Sequence, residues 1–191
     1  MIIKVKSPGR INLIGEHTDY NGGYVLPGAI NKAINFEIFK VKKVYCEVKS
    51  AKINKSLIFE INNIKKSETH WHNYILGTID YFLSKKNKIT PFKCSIKSNL
   101  PIGSGISSSS ALISGFAKAI IELFELKYSK SDIVKIVSYV ERNFIGLRGG
   151  IMDQFTINYG LKDNLILLNC DNSSYNYIQF KSKSFCILLL N

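Results

Sequence analysis

The sequence of 191 residues has no long apolar run and contains only 4 prolines and one tryptophan. No stretch approaches the roughly 18 apolar residues of a membrane-spanning helix, so we expect no membrane partner, and the N-terminal residues predict no secretory leader. The few Pro and Gly residues exclude collagen-like and low-complexity classes. Because 46% of the residues are hydrophobic, a disordered chain is excluded too. The length allows one large domain or two small ones.

Cysteine is also scarce, and its spacing does not suit metal or redox chemistry. The 4 cysteines are Cys46, Cys94, Cys170 and Cys186, and no two of them are three residues apart. Three of them lie in apolar, strand-like runs, with Cys170 the exception. We therefore expect reduced, buried thiols, a cytoplasmic location and no zinc site.

Arginine is rare although the chain is strongly basic. The 26 Lys and Arg residues exceed the 14 Asp and Glu residues by 12, but only Arg10, Arg142 and Arg148 are arginines. A basic chain can bind an anionic partner such as nucleic acid, anionic lipid or a phosphorylated small molecule. The scattered lysines favour a solvated surface instead, and arginine clusters with interleaved aromatic residues are missing. We expect no nucleic acid partner.

The apolar periodicity predicts strands first, helices in the middle and strands again at the end. The predicted strands are 2–6, 34–41, 44–49, 57–61, 92–97, 164–168, 175–180 and 185–190. The predicted helices are 72–86, 106–125 and 129–144, with another starting within 151–155. This order indicates an α+β fold rather than an alternating α/β fold. The apolar last residues lack a cap or polar tail, so we expect the chain to end within a longer protein.

The segment PIGSGISSSSAL, residues 101–112, combines glycines and serines between a predicted strand and a predicted helix. Glycines let backbone N–H groups approach an anion, and the helix N-terminus adds partial positive charge. A serine hydroxyl in the first turn can also reach a metal that bridges phosphates. The spacing matches neither a Walker A loop nor a dinucleotide fingerprint. Phosphate binding and an ordinary loop with serine caps both remain open at this point.

Two further segments concentrate charged residues near glycines. GRINLIGEHTDYNGG, residues 9–23, places one arginine, two carboxylates and a histidine where they could bind sugar hydroxyls, or form a solvated turn. GGIMDQF, residues 149–155, places Asp153 in an apolar turn. A partly desolvated carboxylate beside a cation can act as a general base, whereas the alternative is a carboxylate that stabilises a helix N-terminus.

Taken together, four segments resemble the galactokinase family. Residues 9–23 resemble its signature, and residues 101–112 resemble the phosphate loop of the galactokinase, homoserine kinase, mevalonate kinase and phosphomevalonate kinase (GHMP kinase) superfamily. Residues 140–155 resemble the segment with the catalytic aspartate, and WHNYILG, residues 71–77, resembles another galactokinase stretch. The segments follow the family's order, and the run Glu-His-Thr-Asp-Tyr is the most specific.

The resemblance implies a fold and a reaction. The fold is the GHMP kinase N-terminal domain over residues 1–191, an α+β domain with a mixed, mainly antiparallel sheet and helices on one side (ribosomal protein S5 domain 2-like). The reaction transfers the γ-phosphoryl group of ATP to the C1 hydroxyl of galactose, with Mg²⁺. Because the family's chains are much longer, the resemblance also implies that this chain is an N-terminal half, without the C-terminal GHMP domain.

The resemblance carries site residues over to this sequence as well. Asp153 matches the catalytic aspartate that would accept the sugar proton, and Arg10 matches the arginine beside it. Ser109 and Glu141 match the Mg²⁺ positions. Trp71 matches a tryptophan near the adenine, with simple core packing as its alternative. The residues that would bind the phosphates are Gly103, Ser104, Gly105, Ile106, Ser107, Ser108 and Ser109. The residues that would bind the sugar are Glu16, His17, Thr18, Asp19, Gly150 and Asp153.

The sequence departs from the family pattern at four positions. Ser104 and Ser110 stand where the family often has Gly or Ala. Arg148 and Gly149 stand where other residues are usual before the aspartate motif, which could shift contacts to the sugar.

Three alternatives to a galactokinase stay open. They are a non-catalytic sensor of galactose and ATP on the same fold, a kinase for a related sugar such as N-acetylgalactosamine or arabinose, and a truncated product without activity. Because a sensor needs no base, Asp153, Arg10 and Ser109 favour a kinase over a sensor.

Overall fold

The computed structural model describes residues 1–101, 103–181 and 187–188. Their strands are β1 (Ile3–Asn12), β2 (Tyr24–Val25), β3 (Pro27–Lys40), β4 (Cys46–Ser50), β5 (Lys55–Phe59), β6 (Phe92–Ser98), β7 (Asn164–Asn169) and β8 (Tyr175–Gln179). Their helices are α1 (His70–Ser84), α2 (Ser108–Phe124), α3 (Lys130–Val140) and α4 (Met152–Tyr159), with a 3₁₀ turn at Asp19–Asn21 and a π-helical turn at Glu141–Ile145.

The strands form two sheets. The larger has the order β1-β3-β6-β4-β5, in which β4 and β6 are parallel and every other neighbouring pair is antiparallel. The smaller has the order β2-β7-β8 and is antiparallel throughout. The predicted mixed, mainly antiparallel architecture is therefore confirmed.

The core lies on one face of the larger sheet. Along β3, Ile34, Phe36 and Ile38 are buried and alternate with exposed polar residues, as expected for a strand with one solvated face. Helix α2 packs on the buried face against β1 and β3, and α1 and α3 pack against α2. A Cβ atom on Gly115 would lie 2.3 Å from Phe36 Cε2, so glycine is required for the close approach of α2 to the sheet.

The first and third strands are longer than the predicted strands 2–6 and 34–41. The additional residues pair with each other in an antiparallel ladder that joins Arg10 to Ala29 and Asn12 to Pro27, after a register shift between Pro8 and Arg10. Because this segment is polar and glycine-rich, its local pattern did not predict a strand; the pairing partner supplies the regular structure. The short strand β2 was not predicted either.

The other predicted elements are confirmed, with ends that differ by a few residues. One predicted strand, 185–190, lies outside the described residues except for Ile187 and Leu188, which belong to no strand; Cys186 also lies outside them. The thiols of Cys46 and Cys94 are free and buried, and that of Cys170 is free and half-buried. Within the described part of the chain, no helix has both the length and the apolarity to cross a membrane.

Candidate active site

An ion pair joins the end of β1 to the start of α4. Arg10 Nε donates to Asp153 Oδ1 at 2.7 Å, although the two residues are 143 positions apart, and their side chains are only 14% and 28% exposed. Asp153 lies in the first turn of α4, where the helix dipole favours a carboxylate. The predicted base and the predicted arginine are therefore in direct contact.

The glycine-rich loop before α2 is bound to this ion pair. Arg10 Nη1 donates to the Gly105 carbonyl at 2.5 Å, and the Arg10 backbone N–H donates to the Ile106 carbonyl at 3.2 Å. The Ser107 hydroxyl donates to Asp153 Oδ2. Gly103 has φ +77° and a Cβ atom there would meet nothing within 4 Å, so the loop backbone is open on that side.

The N-terminus of α2 is suited to bind an anion. Its N-cap residue, Ser107, has a left-handed backbone and makes no side-chain cap hydrogen bond, and the first turn contains no acidic residue. The first N–H groups of the helix therefore keep their donor capacity. The buried Ser104 Oγ has no hydrogen-bond partner among the described residues. Donors and positive dipole thus converge beside the Arg10–Asp153 pair.

A cleft of about 370 Å³ opens beside the ion pair. Its lining brings together six of the predicted site residues, which are Arg10, Asp19, Ser109, Glu141, Gly150 and Asp153. Arg148 and Gly149, two of the departures from the family pattern, line it as well. The cleft can therefore hold a small polar molecule between a carboxylate, a guanidinium and a helix N-terminus.

Glu141 is a half-buried carboxylate in the cleft wall. It starts the π-helical turn that ends α3, a type of irregularity that is frequent at functional sites. Ser110 Oγ donates to its Oε1 at 3.2 Å. The pKa of Glu141 is raised from 4.5 to about 7, chiefly by burial and to a smaller extent by the nearby charge of Asp153, while the hydrogen bond from Ser110 lowers it. Ser109 lines the same cleft, so a hydroxyl and a carboxylate face a common space.

Of the four predicted sugar-binding residues at 16–19, Asp19 alone is among the residues that line the cleft. Asp19 lines the cleft, and a Cβ atom on Gly150 would lie 2.3 Å from its Oδ2, so glycine at 150 makes room for this carboxylate. Glu16 accepts from Asn12 Nδ2 at 3.0 Å and is exposed. Glu16, His17 and Thr18 are not among the residues that line the cleft.

His17 and Thr18 shape the turn that carries Asp19. His17 has φ +66°, and its Nδ1 lies 2.9 Å from the Tyr20 hydroxyl. Thr18 Oγ1 lies 2.7 Å from the Gly15 carbonyl and 2.9 Å from the Tyr24 carbonyl. These local hydrogen bonds hold the chain in the tight turn that brings Asp19 to the cleft.

Trp71 lines a separate apolar pocket of about 270 Å³. Ser108 and Ser109 form one wall of that pocket, and Ser109 also lines the cleft, so the two spaces meet at the start of α2. The indole Nε1 is buried and has no hydrogen-bond partner in the described part of the chain. A buried Trp N–H normally has a hydrogen-bond partner, so this Nε1 is an unsatisfied donor beside the pocket.

The sequence reasoning missed Gln154, which lines the cleft and holds its backbone. Its Nε2 donates to the Gly150 carbonyl at 2.9 Å and to Ser138 Oγ at 3.3 Å. Gln154 is 1% exposed, and a buried amide of this kind fixes the backbone that faces Asp19. Its position directly after Asp153 was the available signal.

Two family models match the chain. The GHMP kinases N terminal domain matches residues 73–161, and the galactokinase galactose-binding signature matches residues 3–38. Arg10 lies in the second range and Asp153 in the first, so the ion pair connects the two matched regions.

Curated relatives named galactokinase align with almost the whole chain. The galactokinase of Thermotoga maritima is 42% identical over 189 residues, which are 99% of this chain and 53% of that protein. The galactokinase of Fusobacterium nucleatum is 38% identical over 97% of this chain and 49% of that protein. The chain therefore spans about half the length of the curated relatives it matches.

Solved structures show the same similarity. Lactococcus lactis galactokinase complexed with galactose superposes with a TM-score of 0.87 at 32% identity, over 93% of this chain and 47% of that one. Methanococcus jannaschii mevalonate kinase superposes with a TM-score of 0.75 at 27% identity, over 94% of this chain and 56% of that one. The fold described above is thus that of the N-terminal domain of these kinases.

The raised pKa of Glu141 predicts a pH-dependent stability. Glu141 is protonated in the folded protein up to about pH 7 but ionises near pH 4.5 in the unfolded chain. The stability that the protonated Glu141 gives to the folded state is therefore full below pH 4.5 and is lost as the pH rises through 7. We therefore expect the free energy of unfolding of Glu141→Gln to rise relative to that of wild type, by up to about 3 kcal/mol, as the pH is raised from 5 to 8. Urea unfolding at several pH values with EDTA measures this gain, and parallel pH profiles for the two proteins would contradict it.

Proposed function

The chain belongs to the galactokinase family, and on this basis we propose that it forms the catalytic N-terminal half of an ATP-dependent kinase that phosphorylates galactose. Residues 1–191 would make up one GHMP kinase N-terminal domain. The observation that carries the proposal is the contact of Asp153 with both Arg10 and the glycine-rich loop, at the edge of a cleft of sugar size. The reduced thiols and the need for ATP support a cytoplasmic location.

Asp153 would act as the general base. Its carboxylate would accept the proton of the galactose C1 hydroxyl as the oxygen attacks the γ-phosphorus of ATP. The bond between that phosphorus and the β–γ bridging oxygen breaks, which yields galactose 1-phosphate, ADP and a proton. Phosphoryl transfer depends mainly on positioning and charge stabilisation, so a fixed carboxylate in a partly desolvated site suits this role.

Arg10 would serve the same step in two ways. Its guanidinium, 2.7 Å from Asp153 Oδ1, would hold the carboxylate in place, and its positive charge can offset negative charge that develops on the transferred group. Its bonds to Gly105 and Ile106 support this proposal, because they hold the phosphate-binding loop at a fixed distance from the base.

ATP would bind across the start of α2. The proposed phosphate contacts are the backbone N–H groups of residues 103–109 and the hydroxyls of Ser104, Ser108 and Ser109, with the helix dipole favouring the anion. The adenine would enter the pocket of Trp71, where the flat ring can stack and the unpaired Nε1 can donate a hydrogen bond. The meeting of pocket and cleft at Ser109 supports this orientation of the nucleotide.

Ser109 and Glu141 would hold Mg²⁺, and both fit this ion. Mg²⁺ prefers oxygen ligands and few protein contacts, and a hydroxyl and a carboxylate face one space here. Burial raises the pKa of Glu141 to about 7 because it disfavours the ionised carboxylate, and a bound cation would stabilise that ionised form. When bound, Mg²⁺ would neutralise charge on the β- and γ-phosphates.

The sugar would occupy the cleft near Asp19. We propose Glu16, His17, Thr18, Asp19 and Gly150 as its binding residues, with Asp153 at the reacting hydroxyl. The direct support concerns Asp19, whose carboxylate faces the cleft against Gly150. A carboxylate that accepts from a particular sugar hydroxyl discriminates strongly against an epimer, because the epimer leaves it unpaired. The galactose bound by the similar Lactococcus lactis galactokinase makes galactose the sugar to test first.

Asp153→Asn tests the proposed base. We expect galactose-dependent ADP release to fall by at least about 100-fold, because the amide cannot accept the proton, while ADP and galactose still bind in calorimetry. Asp163→Asn, a carboxylate that is not among the cleft residues, is the control and should retain wild-type turnover. Turnover of Asp153→Asn within tenfold of wild type would remove Asp153 from this role.

The fluorescence of Trp71 tests the proposed nucleotide site. Because Trp71 is the one tryptophan of the chain, its emission reports on this pocket alone. We expect ADP to change the emission saturably and galactose to leave it unchanged, and Trp71→Ala to weaken ADP binding by about tenfold or more through lost stacking. Saturable ADP binding in calorimetry without any change in emission would place the adenine elsewhere.

A further inference from the structure

The carboxylate of Asp153 is held at both of its oxygens. Arg10 Nε donates to Oδ1, and the Ser107 hydroxyl donates to Oδ2. An ionised carboxylate offers about four lone-pair positions, so each oxygen keeps acceptor capacity after these bonds form. Asp153 lines the cleft whereas Ser107 is not among the cleft residues. Ser107 therefore holds the carboxylate from the side of the protein and leaves the cleft side free.

The hydroxyl of Ser107 does not cap the helix that it precedes. Ser107 is the N-cap residue of α2, a position where serine normally accepts a hydrogen bond from the helix backbone, yet it makes no such bond. Its backbone has φ 58° and ψ 44°, a left-handed conformation that non-glycine residues rarely adopt, and the residue is 8% exposed. Such strained conformations are kept where surrounding contacts hold them in place, and they are frequent at functional sites.

Three successive loop residues form hydrogen bonds with Arg10 or Asp153. The Gly105 and Ile106 carbonyls accept from Arg10, and the Ser107 hydroxyl donates to Asp153. The loop and the pair thus form one closed ring of hydrogen bonds, in which Ser107 supplies the link to the carboxylate. Removing that link leaves Asp153 bound to Arg10 through Oδ1 alone, free to turn about this bond.

We infer that Ser107 is a positioning residue for Asp153, whose hydroxyl fixes the rotation of the carboxylate that receives the sugar proton. The inference rests on the proposed function, because it assigns Ser107 a role in that reaction. It separates Ser107 from the other serines of the loop, which would act on the phosphates. A small misplacement of a reacting group lowers the rate strongly, so the loss should fall on kcat.

Ser107→Ala and a matched control test this role kinetically. We expect Ser107→Ala to lower kcat by about tenfold or more while KM for ATP changes by less than about threefold. Ser114→Ala removes another buried serine hydroxyl of α2, one that accepts from Asn158 at 3.1 Å, and should keep wild-type kcat. In the Asp153→Asn background, Ser107→Ala should cost nothing further, because the group it positions is gone.

Two results would overturn the inference. One is an unchanged kcat with a raised KM for ATP, which would make Ser107 a phosphate contact only. The other is a loss of kcat in the Asp153→Asn background as large as in the wild type, which would make the effect structural.

A second measurement, independent of activity, distinguishes this inference from the proposed function. In urea unfolding of wild type, Ser107→Ala, Asp153→Ala and the double variant, we expect non-additivity of at least about threefold in the unfolding equilibrium constant, and additivity for Ser114→Ala with Asp153→Ala. Additive effects of Ser107→Ala and Asp153→Ala would overturn the inference whatever the activity. If the full-length wild-type protein releases no ADP with galactose, the proposed function is overturned and, with it, the role given to Ser107, even if the contact is measured.

Discussion

The ion pair between Arg10 and Asp153 is the contact on which the cleft depends. Two charges that are withdrawn from water destabilise a protein unless they are paired and hydrogen-bonded, and both conditions are met here. The pair joins β1 to α4, and its remaining hydrogen bonds go to the loop that starts α2. Loss of either partner would leave an uncompensated charge and would also release the loop.

The N-termini of α2 and α4 have different roles in the site. In α4 the first turn carries Asp153, so the positive end of that helix is already satisfied by a carboxylate of the protein. In α2 the first turn carries serines and no acid, so its positive end stays available to an external anion. Gly115 allows α2 to lie close against β1 and β3, which fixes this open N-terminus beside the end of β1. The base and the proposed phosphate site therefore share one wall.

The sequence reveals the chemistry of the site better than its geometry. Arg10 and Asp153 could be predicted as site candidates, Arg10 from a segment of polar residues and glycines and Asp153 from an apolar turn after two glycines, and the resemblance to the galactokinase family supplied their roles. The continuation of β1 to Asn12 could not, because its pairing with Pro27 is a long-range contact without a local period. The raised pKa of Glu141 and the contact of Ser107 with Asp153 arise only when α2, the end of α3 and α4 pack together. Neither the composition nor the periodicity of the sequence predicts how these elements pack together.

The most direct test of the account is a crystal structure of this protein with galactose and a non-hydrolysable ATP analogue. The account predicts the C1 oxygen of galactose at hydrogen-bond distance from Asp153, about 2.6–3.2 Å, with the γ-phosphate between Arg10 and the N-terminus of α2. Galactose bound away from Asp153, or a nucleotide whose phosphates do not contact residues 103–109, would contradict it.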